Sequence, residues 1–304
     1  MSAVTAASPA PPGAARRGER PPIDWIGYVF VAVFAIPFLI FNILPVLFGA
    51  FVAFTEWRII GTPEWIGLEN FTEAFGDEWV WLAFRNVVFY ALIIVPGVTL
   101  LGLAFALFVN QGYPLSGLAR TLFFAPNVVS ATVIGLVWVF ILDTQYGLLN
   151  NTLGHLGIAA VPWLTSAQWS LIGVSIASIW WDLGLAFVLI LAGLQDIPRD
   201  LVEAARVDGA GPLARLRFVT LPHLRAVLSM VVTLQLISTL RIFSQVYVMT
   251  NGGPAGSSSS PIHYMYTVAI VRNLYGYASA IAMMLFVVIL AVTVVQRFIL
   301  KEAP

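Results

Sequence analysis

Two charged side chains, Asp182 and Arg241, lie in stretches of the sequence that are otherwise apolar and long enough to cross a membrane. A charge at the centre of a bilayer costs about 2.5–3.5 kcal/mol even on insertion-based scales, so such side chains usually face a cavity or a partner. One interpretation is that both residues line a path for a polar solute. The other is that they pair with each other and fix the packing of two helices, and the sequence favours neither.

Polar and aromatic residues accompany these two charges. Recognition of a sugar requires aromatic faces for its C–H surfaces and polar groups for its hydroxyls, and the neighbouring Trp181 and Phe243 contribute to that chemistry. Our further candidates for a solute path are Asn127, Trp180, Gln235, Ser238, Gln245 and Tyr247. The alternative for the aromatic residues is packing or anchoring at the membrane interface, which is their commoner role in apolar segments.

Other kinds of site have little support in the sequence. The chain has no cysteine, and His155, His223 and His263 are far apart, so we expect no metal site and no thiol chemistry. The single lysine, Lys301, lies in no G-x-x-x-x-G-K-[ST] motif, so we expect no ATP hydrolysis by this chain itself. We therefore predict no catalytic residue and no bound cofactor. The formal net charge of zero also argues against nucleic acid as a partner.

The composition indicates what positions these residues. The chain is 60% apolar and 10% charged with a mean hydropathy of +0.90, whereas soluble domains contain roughly 25% charged residues. We predict an all-α membrane protein whose residues 1–22 form a disordered cytoplasmic tail and whose residues 23–304 form a transmembrane domain. Six transmembrane helices are predicted at about 25–54, 82–109, 121–142, 169–194, 224–249 and 278–300. Between the last two, residues 250–260 are rich in Gly and Ser and predict a flexible exposed turn.

Basic residues orient this set of helices. Of the 15 Lys and Arg residues, eleven fall on the side of the N-terminus, and only Arg58, Arg85 and Arg272 fall on the opposite side. Cytoplasmic segments carry the excess of Lys and Arg. We therefore predict that both termini and the loop at 198–222 are cytoplasmic.

The loop at 198–222 predicts two short helices separated by a break at Gly209, because glycine adopts the left-handed conformation that ends a helix. Pro212 is suited to start the second helix, which we expect to end before Pro222. Arg199 and Glu203 are four residues apart and can pair across one turn. An apolar face of Leu201, Val202, Ala205, Leu213 and Leu216 is predicted to anchor the loop on the membrane helices. The alternative is a bent amphipathic helix that lies on the membrane surface.

This loop carries a motif with fixed spacing, E-A-A-x3-G-x9-V-x-L-P. Its positions are Glu203, Ala204, Ala205, Gly209, Val219, Leu221 and Pro222. The motif resembles that of the transmembrane permease subunits of binding-protein-dependent ABC importers, which usually have isoleucine in place of Val219. The resemblance covers about 82–297. The stretches RTLFFAPNVVSATVIGLVW, YGLLNNTL, LAGLQDIP and RIFSQVYVMTNGGPAG are similar to the carbohydrate-uptake branch, in particular its maltose- and glycerol-phosphate-type first permease.

The resemblance implies a type I ABC importer transmembrane fold in a bacterial or archaeal cell (inner) membrane. The implied partners are a second permease subunit, a dimer of ATP-binding subunits that use ATP and Mg, an extracytoplasmic solute-binding protein and the lipid bilayer. The residues implied to couple to the ATPase are Glu203, Ala204, Ala205, Asp208, Gly209, Leu221 and Pro222. Sugars and glycerol-phosphate-type solutes remain open as cargo.

Two other classes of function are less well supported. A secondary transporter driven by an ion gradient is the alternative, but Asp182 is the single acid within a predicted span, and no inverted repeat is visible. An intramembrane enzyme would need a converging acid/base pair or a set of metal ligands, which the sequence does not supply.

Overall fold

The computed structural model describes residues 25–58, 60–112 and 116–301, and these residues are mostly helical. They divide into two compact units, one ending at Phe48 and one beginning at Gly49. The first unit contains α1 (Trp25–Phe38), a π-helical segment (Leu39–Ile43) and the beginning of α2 (Leu44–Val52). The predicted disordered tail, residues 1–22, lies outside the described residues.

The second unit begins with a short antiparallel hairpin of β1 (Thr55–Glu56) and β2 (Glu64–Trp65), and all its later elements are helical. They are α3 (Glu69–Gly76), α4 (Glu78–Asn110), α5 (Ser116–Val128), α6 (Ala131–Ile141), α7 (Leu148–His155), α8 (Ser170–Gln195), α9 (Arg199–Val207), α10 (Pro212–Arg215), α11 (Leu221–Leu240), α12 (Ser244–Met249), α13 (Pro261–Tyr266) and α14 (Tyr275–Lys301). Two further π-helical segments, Leu216–Thr220 and Thr267–Val271, precede α11 and follow α13.

Five helices among the described residues are long and apolar enough to cross a membrane. They are Gly27–Val52, Glu78–Asn110, Ser170–Gln195, Pro212–Leu240 and Tyr275–Gln296. A sixth crossing is obtained when α5 and α6, which meet at a bend of 103°, are counted as one span. The helical membrane fold and the number of crossings therefore agree with the prediction.

The third predicted span, 121–142, is not one continuous helix. α5 ends at Val128, Ser130 has an extended backbone with φ −56° and ψ 137°, and α6 begins at the next residue. Pro126 lies in the last turn of α5, where its missing N–H weakens the helical hydrogen bonding just before the bend. The bend of 103° therefore divides the predicted span into two helices.

The core forms where α4 and α8 pack side by side, with α11 against both. Small residues allow the backbones to approach, as is common between membrane helices. A Cβ atom at Gly102 would lie 3.3 Å from Ala186 Cβ, and one at Gly193 would lie 2.9 Å from Val227 Cγ2. The fully buried side chains of this core include Tyr90, Ile94, Val98, Phe187, Ile190 and Leu224.

The segment 250–260, which we predicted to be flexible and exposed, is instead packed into one end of the second unit. Asn86 Nδ2 donates to the carbonyl oxygens of Gly256 (2.8 Å) and Ser259 (3.0 Å), and Tyr90 Oη donates to Ser258 O (2.9 Å). Ser258 and Ser260 are completely buried. The prediction was wrong because partners distant in sequence satisfy the polar backbone of this turn, and local composition cannot reveal them. We call this end of the bundle the turn end, and the end with the 198–222 segment the loop end.

Replacing Asn86 by alanine is expected to lower the free energy of unfolding by about 2–4 kcal/mol, because two buried carbonyl groups lose their donor. The measurement is the thermal unfolding of the purified protein in detergent, together with proteolysis of the 250–260 segment. The matched control is Asn151→Ala, which alters an exposed asparagine and should unfold like the unmodified chain. Equal stability of both variants would contradict the role assigned to Asn86.

Asp77 ties three elements together at the turn end. Its Oδ1 accepts from Trp79 N (2.8 Å) at the start of α4, and its Oδ2 accepts from the hydroxyls of Tyr264 (2.5 Å) and Tyr277 (2.8 Å). Burial by itself would raise the pKa of Asp77, but these hydrogen bonds and the charge of Arg272 lower it below its ordinary value. Burial and the carboxylate together raise the pKa of Tyr264 to about 12. Asp77 is therefore ionised at neutral pH and holds α4 against α13 and α14.

Candidate functional site

The loop at 198–222 contains two short helices with a break between them, as predicted. α9 ends in a left-handed turn at Gly209, where φ is +78°. Ala210 N donates to Ala205 O (2.9 Å) and Gly209 N donates to Arg206 O (3.1 Å), so the last carbonyl groups of α9 are satisfied. This pair of hydrogen bonds is the Schellman arrangement, which requires a residue that tolerates positive φ.

The second half of the loop differs from the prediction at Pro222. Pro212 begins α10, but the helical path does not end before Pro222. It continues through the π-helical segment Leu216–Thr220, in which Leu221 N donates to Leu216 O, and enters α11 directly. The wider turn accommodates a proline that would otherwise remove a hydrogen bond from the helix interior. The second half of the loop and α11 thus form one continuous helical path from Pro212 to Leu240.

Much of the loop surface is exposed, including the motif residues Glu203, Ala204, Asp208, Gly209 and Pro222, while Ala205 and Leu221 are half-buried. The predicted anchoring face is only partly correct. Val202, Ala205 and Leu216 are half-buried, but Leu201 is exposed and Leu213 is 78% exposed. Two further large apolar side chains, Val207 (88% exposed) and Phe218 (71% exposed), lie in the same segment. Apolar side chains that are exposed together in one segment are typical of a surface that binds a protein partner or a membrane, so both interpretations of the loop remain compatible with this exposure.

A cavity of about 680 Å³ lies beside α9 at the loop end. Glu203 lines it with Arg199 and Arg206, and the ends of α4 and α8 contribute Asn110 and Gln195. The i,i+4 pair that the sequence allows between Arg199 and Glu203 is not formed, since among the described residues the ion pair within 4 Å is that of Arg58 and Glu56 (3.3 Å). The carboxylate of Glu203 therefore keeps its hydrogen-bonding capacity for a group outside this helix.

A second cavity, of about 400 Å³, contains the two charges of the predicted spans. Asp182 reaches it from α8. Arg241 reaches it from the end of α11, because the predicted continuous span 224–249 is interrupted: α11 ends at Leu240 and α12 begins at Ser244. The prediction of one helix was wrong here, and the interruption places the Arg241 backbone at a helix end beside the cavity.

The positions of Asp182 and Arg241 bear on the two interpretations of these charges. Both Asp182 and Arg241 line the cavity, and within the described part of the chain they do not form an ion pair. Ser238 and Gln245, also predicted for the solute path, line the same cavity, as do Trp181 and Phe243. The ion-pair alternative is therefore not realised in this structure, and the charges remain available to a ligand.

Two buried polar atoms of α11 have no hydrogen-bond partner among the described residues. They are Oγ1 of Thr239, which lines the cavity and is 2% exposed, and Oε1 of Gln235, which is 3% exposed. An unsatisfied buried polar group costs about 1–3 kcal/mol, and both oxygens are closed to solvent in this structure. The sequence interpretation missed Thr239 and Ser178; the signal for Thr239 was its position four residues after Gln235 on α11.

Four predicted path residues lie outside the described lining of this cavity. Asn127 Nδ2 donates to Trp181 O (3.4 Å), and Trp180 packs edge-on against Trp138 with centroids 6.0 Å apart. Tyr247 stacks on Phe243 at 5.5 Å. Gln235 is buried in the helix packing. The structure thus brings together Asp182, Ser238, Arg241 and Gln245, and it leaves the other four around them.

These features can be compared with known proteins. Residues 98–302 match the family described as "Binding-protein-dependent transport system inner membrane component", and the chain belongs to this family. It is a multi-pass membrane permease subunit, a pore component and not an enzyme. Among the described residues, no group of three or more His, Asp or Glu side chains could hold a metal ion.

Individual relatives extend over most of the chain. The sulfoquinovosyl glycerol transport system permease protein SmoG of Agrobacterium fabrum is 34% identical, covering 78% of this chain and 77% of its own length. The trehalose/maltose transport system permease protein MalF of Thermococcus litoralis is 33% identical, covering 89% of this chain and 92% of its own length. The match to permeases of sugar transport systems agrees with the resemblance of four stretches of the sequence to the carbohydrate-uptake branch.

The fold is also that of a solved transporter. A chain of a bacterial ABC transporter involved in the import of the acidic polysaccharide alginate superposes with a TM-score of 0.81 at 23% identity, over 92% of this chain and 96% of that one. This likeness establishes the type I importer permease fold.

Proposed function

We propose that this chain forms half of the translocation pore of an ATP-driven uptake system for a sugar or a sugar-like solute. The observation that carries the proposal is the exposed element α9–Gly209–α10, which bears the motif residues and is continuous with α11. In this proposal the 198–222 loop faces the cytoplasm and binds a separate ATPase, which uses ATP and Mg. The loop residues assigned to this contact are Glu203, Ala204, Ala205, Asp208, Gly209, Leu221 and Pro222.

The proposed assembly has four other parts. They are a second permease subunit, a dimer of ATP-binding subunits, an extracytoplasmic solute-binding protein and the surrounding bilayer of a bacterial or archaeal cell (inner) membrane. Support for the binding protein comes from the family description and from a transporter with a similar fold that was solved in complex with an alginate-bound periplasmic protein. Exposed apolar side chains such as Val207, Leu213 and Phe218 support a protein partner at the loop end.

The coupling mechanism follows from the continuity of the loop with α11. When the ATPase dimer closes, its contact with α9 displaces the loop. The displacement is transmitted along one helical path, which consists of α10, the π-helical segment Leu216–Thr220 and α11. That path ends at Leu240, next to Arg241 and the 400 Å³ cavity. Closure of the ATPase can shift the pore only by the difference in its affinity for the two loop positions.

The proposed cargo is a polyhydroxylated solute. One support is the polar lining of the cavity, where Asp182, Arg241 and Ser238 can bond to hydroxyl groups. The other is the names of two relatives, which mention sulfoquinovosyl glycerol and trehalose/maltose. The other candidates for contacts along the path are Asn127, Trp180, Gln235, Ser238, Gln245 and Tyr247. No observation on the described residues favours the alternative, a secondary transporter driven by an ion gradient.

Purification of the full chain from its native membrane tests the proposal. We expect an ATPase and a second permease to co-purify in stoichiometric amounts. In proteoliposomes, uptake should require both ATP inside and the solute-binding protein outside. Uptake by the chain alone, driven by an ion gradient without ATP, would overturn the proposal. The sugar bound to the co-purified binding protein identifies the cargo.

A further inference from the structure

An apolar groove of about 410 Å³ opens between α3, α4 and α14 near the turn end. Its walls include Phe54, Phe71, Phe75, Trp81, Phe84 and Met284. The indole N–H of Trp81 donates to Phe75 O (2.9 Å), so the indole offers its apolar ring to the groove. Among the lining residues of the groove no polar group is available for the hydroxyls of a sugar, and the groove fits a hydrocarbon chain.

A polar pocket adjoins this groove on the other side of Trp81. Glu78 and Arg85, seven residues apart on α4, line this pocket together with Trp79 and Trp81. Both charged side chains are exposed, and among the described residues neither forms an ion pair within 4 Å. The pocket therefore has one cationic side chain, Arg85, and one anionic side chain, Glu78, beside the apolar groove, and neither is in an ion pair among the described residues.

The depth of Arg85 matches the boundary between lipid headgroups and acyl chains. α4 has 33 residues, which at 1.5 Å per residue make about 50 Å, whereas the hydrocarbon core is about 30 Å thick. An upright helix centred in the core would extend about 10 Å beyond it at each end, and Arg85 lies about that distance from Glu78. Exposed apolar residues, Val88, Phe89 and Leu92, follow immediately. An unpaired cation at this depth is stabilised by a phosphate group.

We propose that this site binds one membrane phospholipid, with an acyl chain in the groove and its phosphate on Arg85. Glu78, nearer the aqueous end of α4, binds an ammonium group, so a phosphoethanolamine headgroup fits better than a net anionic one. The bound lipid fills the space between α4 and α14, next to the hydrogen bonds that Asp77 accepts from Tyr264 and Tyr277. The proposal concerns the lipid-facing surface and is independent of which solute crosses the pore.

Native mass spectrometry of the full chain, purified in mild detergent after equilibration with equal parts of phosphatidylethanolamine and phosphatidylglycerol, tests this site. We expect one retained phosphatidylethanolamine. Arg85→Gln should lower its occupancy about tenfold or more, because a charge-assisted hydrogen bond is lost. Met284→Trp should have a similar effect by filling the groove, and Arg85→Lys should retain part of the binding.

Matched controls separate lipid binding from general damage. Arg58→Gln removes an exposed cation of the same end that is already paired with Glu56, and Met230→Trp enlarges an exposed methionine on α11. Both controls should retain the lipid. Equal retention in Arg85→Gln and Met284→Trp would overturn the proposal, as would a map of the assembled transporter in nanodiscs with a polypeptide helix in the groove. Retention of phosphatidylglycerol alone would overturn the assignment of Glu78.

Discussion

Replacing Gly209 by proline should reduce ATP-driven uptake by roughly two orders of magnitude. The proline ring fixes φ near −65°, whereas Gly209 has φ +78° and donates its N–H to Arg206 O. A conformational penalty of about 3 kcal/mol corresponds to roughly a hundredfold loss of the native loop geometry. Uptake into proteoliposomes and solute-stimulated ATP hydrolysis measure the effect. Because the change lies outside the spans, membrane insertion should be normal.

Two alanine substitutions, at Gly209 and Gly211, test whether the loss of uptake comes from the left-handed backbone at Gly209. Gly209 and Gly211 both have open space where a Cβ atom would lie, but Gly211 has φ −65°, which alanine adopts freely. Gly209→Ala should therefore lower uptake about fivefold, since a left-handed alanine costs about 1 kcal/mol, and Gly211→Ala should leave it unchanged. Glu203→Lys should also uncouple transport, because it places a third cation beside Arg199 and Arg206. Normal uptake by Gly209→Pro and Glu203→Lys would refute the docking role of the loop.

Neutralising either charge of the 400 Å³ cavity is expected to lower solute uptake about tenfold. A hydrogen bond to a charged group contributes about 1.5–3 kcal/mol, and both Asp182 and Arg241 face the cavity. Because they do not pair in this structure, the double variant of Asp182→Asn and Arg241→Gln should lose more uptake than either single variant, up to about a hundredfold. Uptake at several solute concentrations distinguishes weaker binding from slower transport.

The control for this double substitution is the same experiment on Glu56 and Arg58, which do form an ion pair. Glu56→Gln and Arg58→Gln, separately and together, alter the exposed pair outside the cavity and should leave uptake close to that of the unmodified chain. If the double variant of Asp182 and Arg241 recovered the activity that either single variant loses, the two residues would act as an ion pair that fixes helix packing. That result would remove them from the solute path.

The sequence by itself determined the class of this protein and the location of its loop motif. Long apolar runs separated by polar segments leave helices as the way to satisfy the backbone in a bilayer, so the number of crossings could be counted. The break at Gly209 was also predictable, because a left-handed helix end is a local property of glycine. The residues from Glu203 to Pro222 resemble the motif of the permease family to which the chain belongs.

Tertiary structure alone decided how these elements are bent and which side chains meet. Apolar runs predicted spans at 121–142 and 224–249, but only the structure shows the 103° bend near Ser130 and the interruption between Leu240 and Ser244. The ordered turn at 250–260 depends on Asn86 and Tyr90, more than 160 residues earlier in the chain. A sequence pattern records local preference, whereas these contacts depend on the relative positions of distant helices, which the packing of small residues such as Gly102 sets.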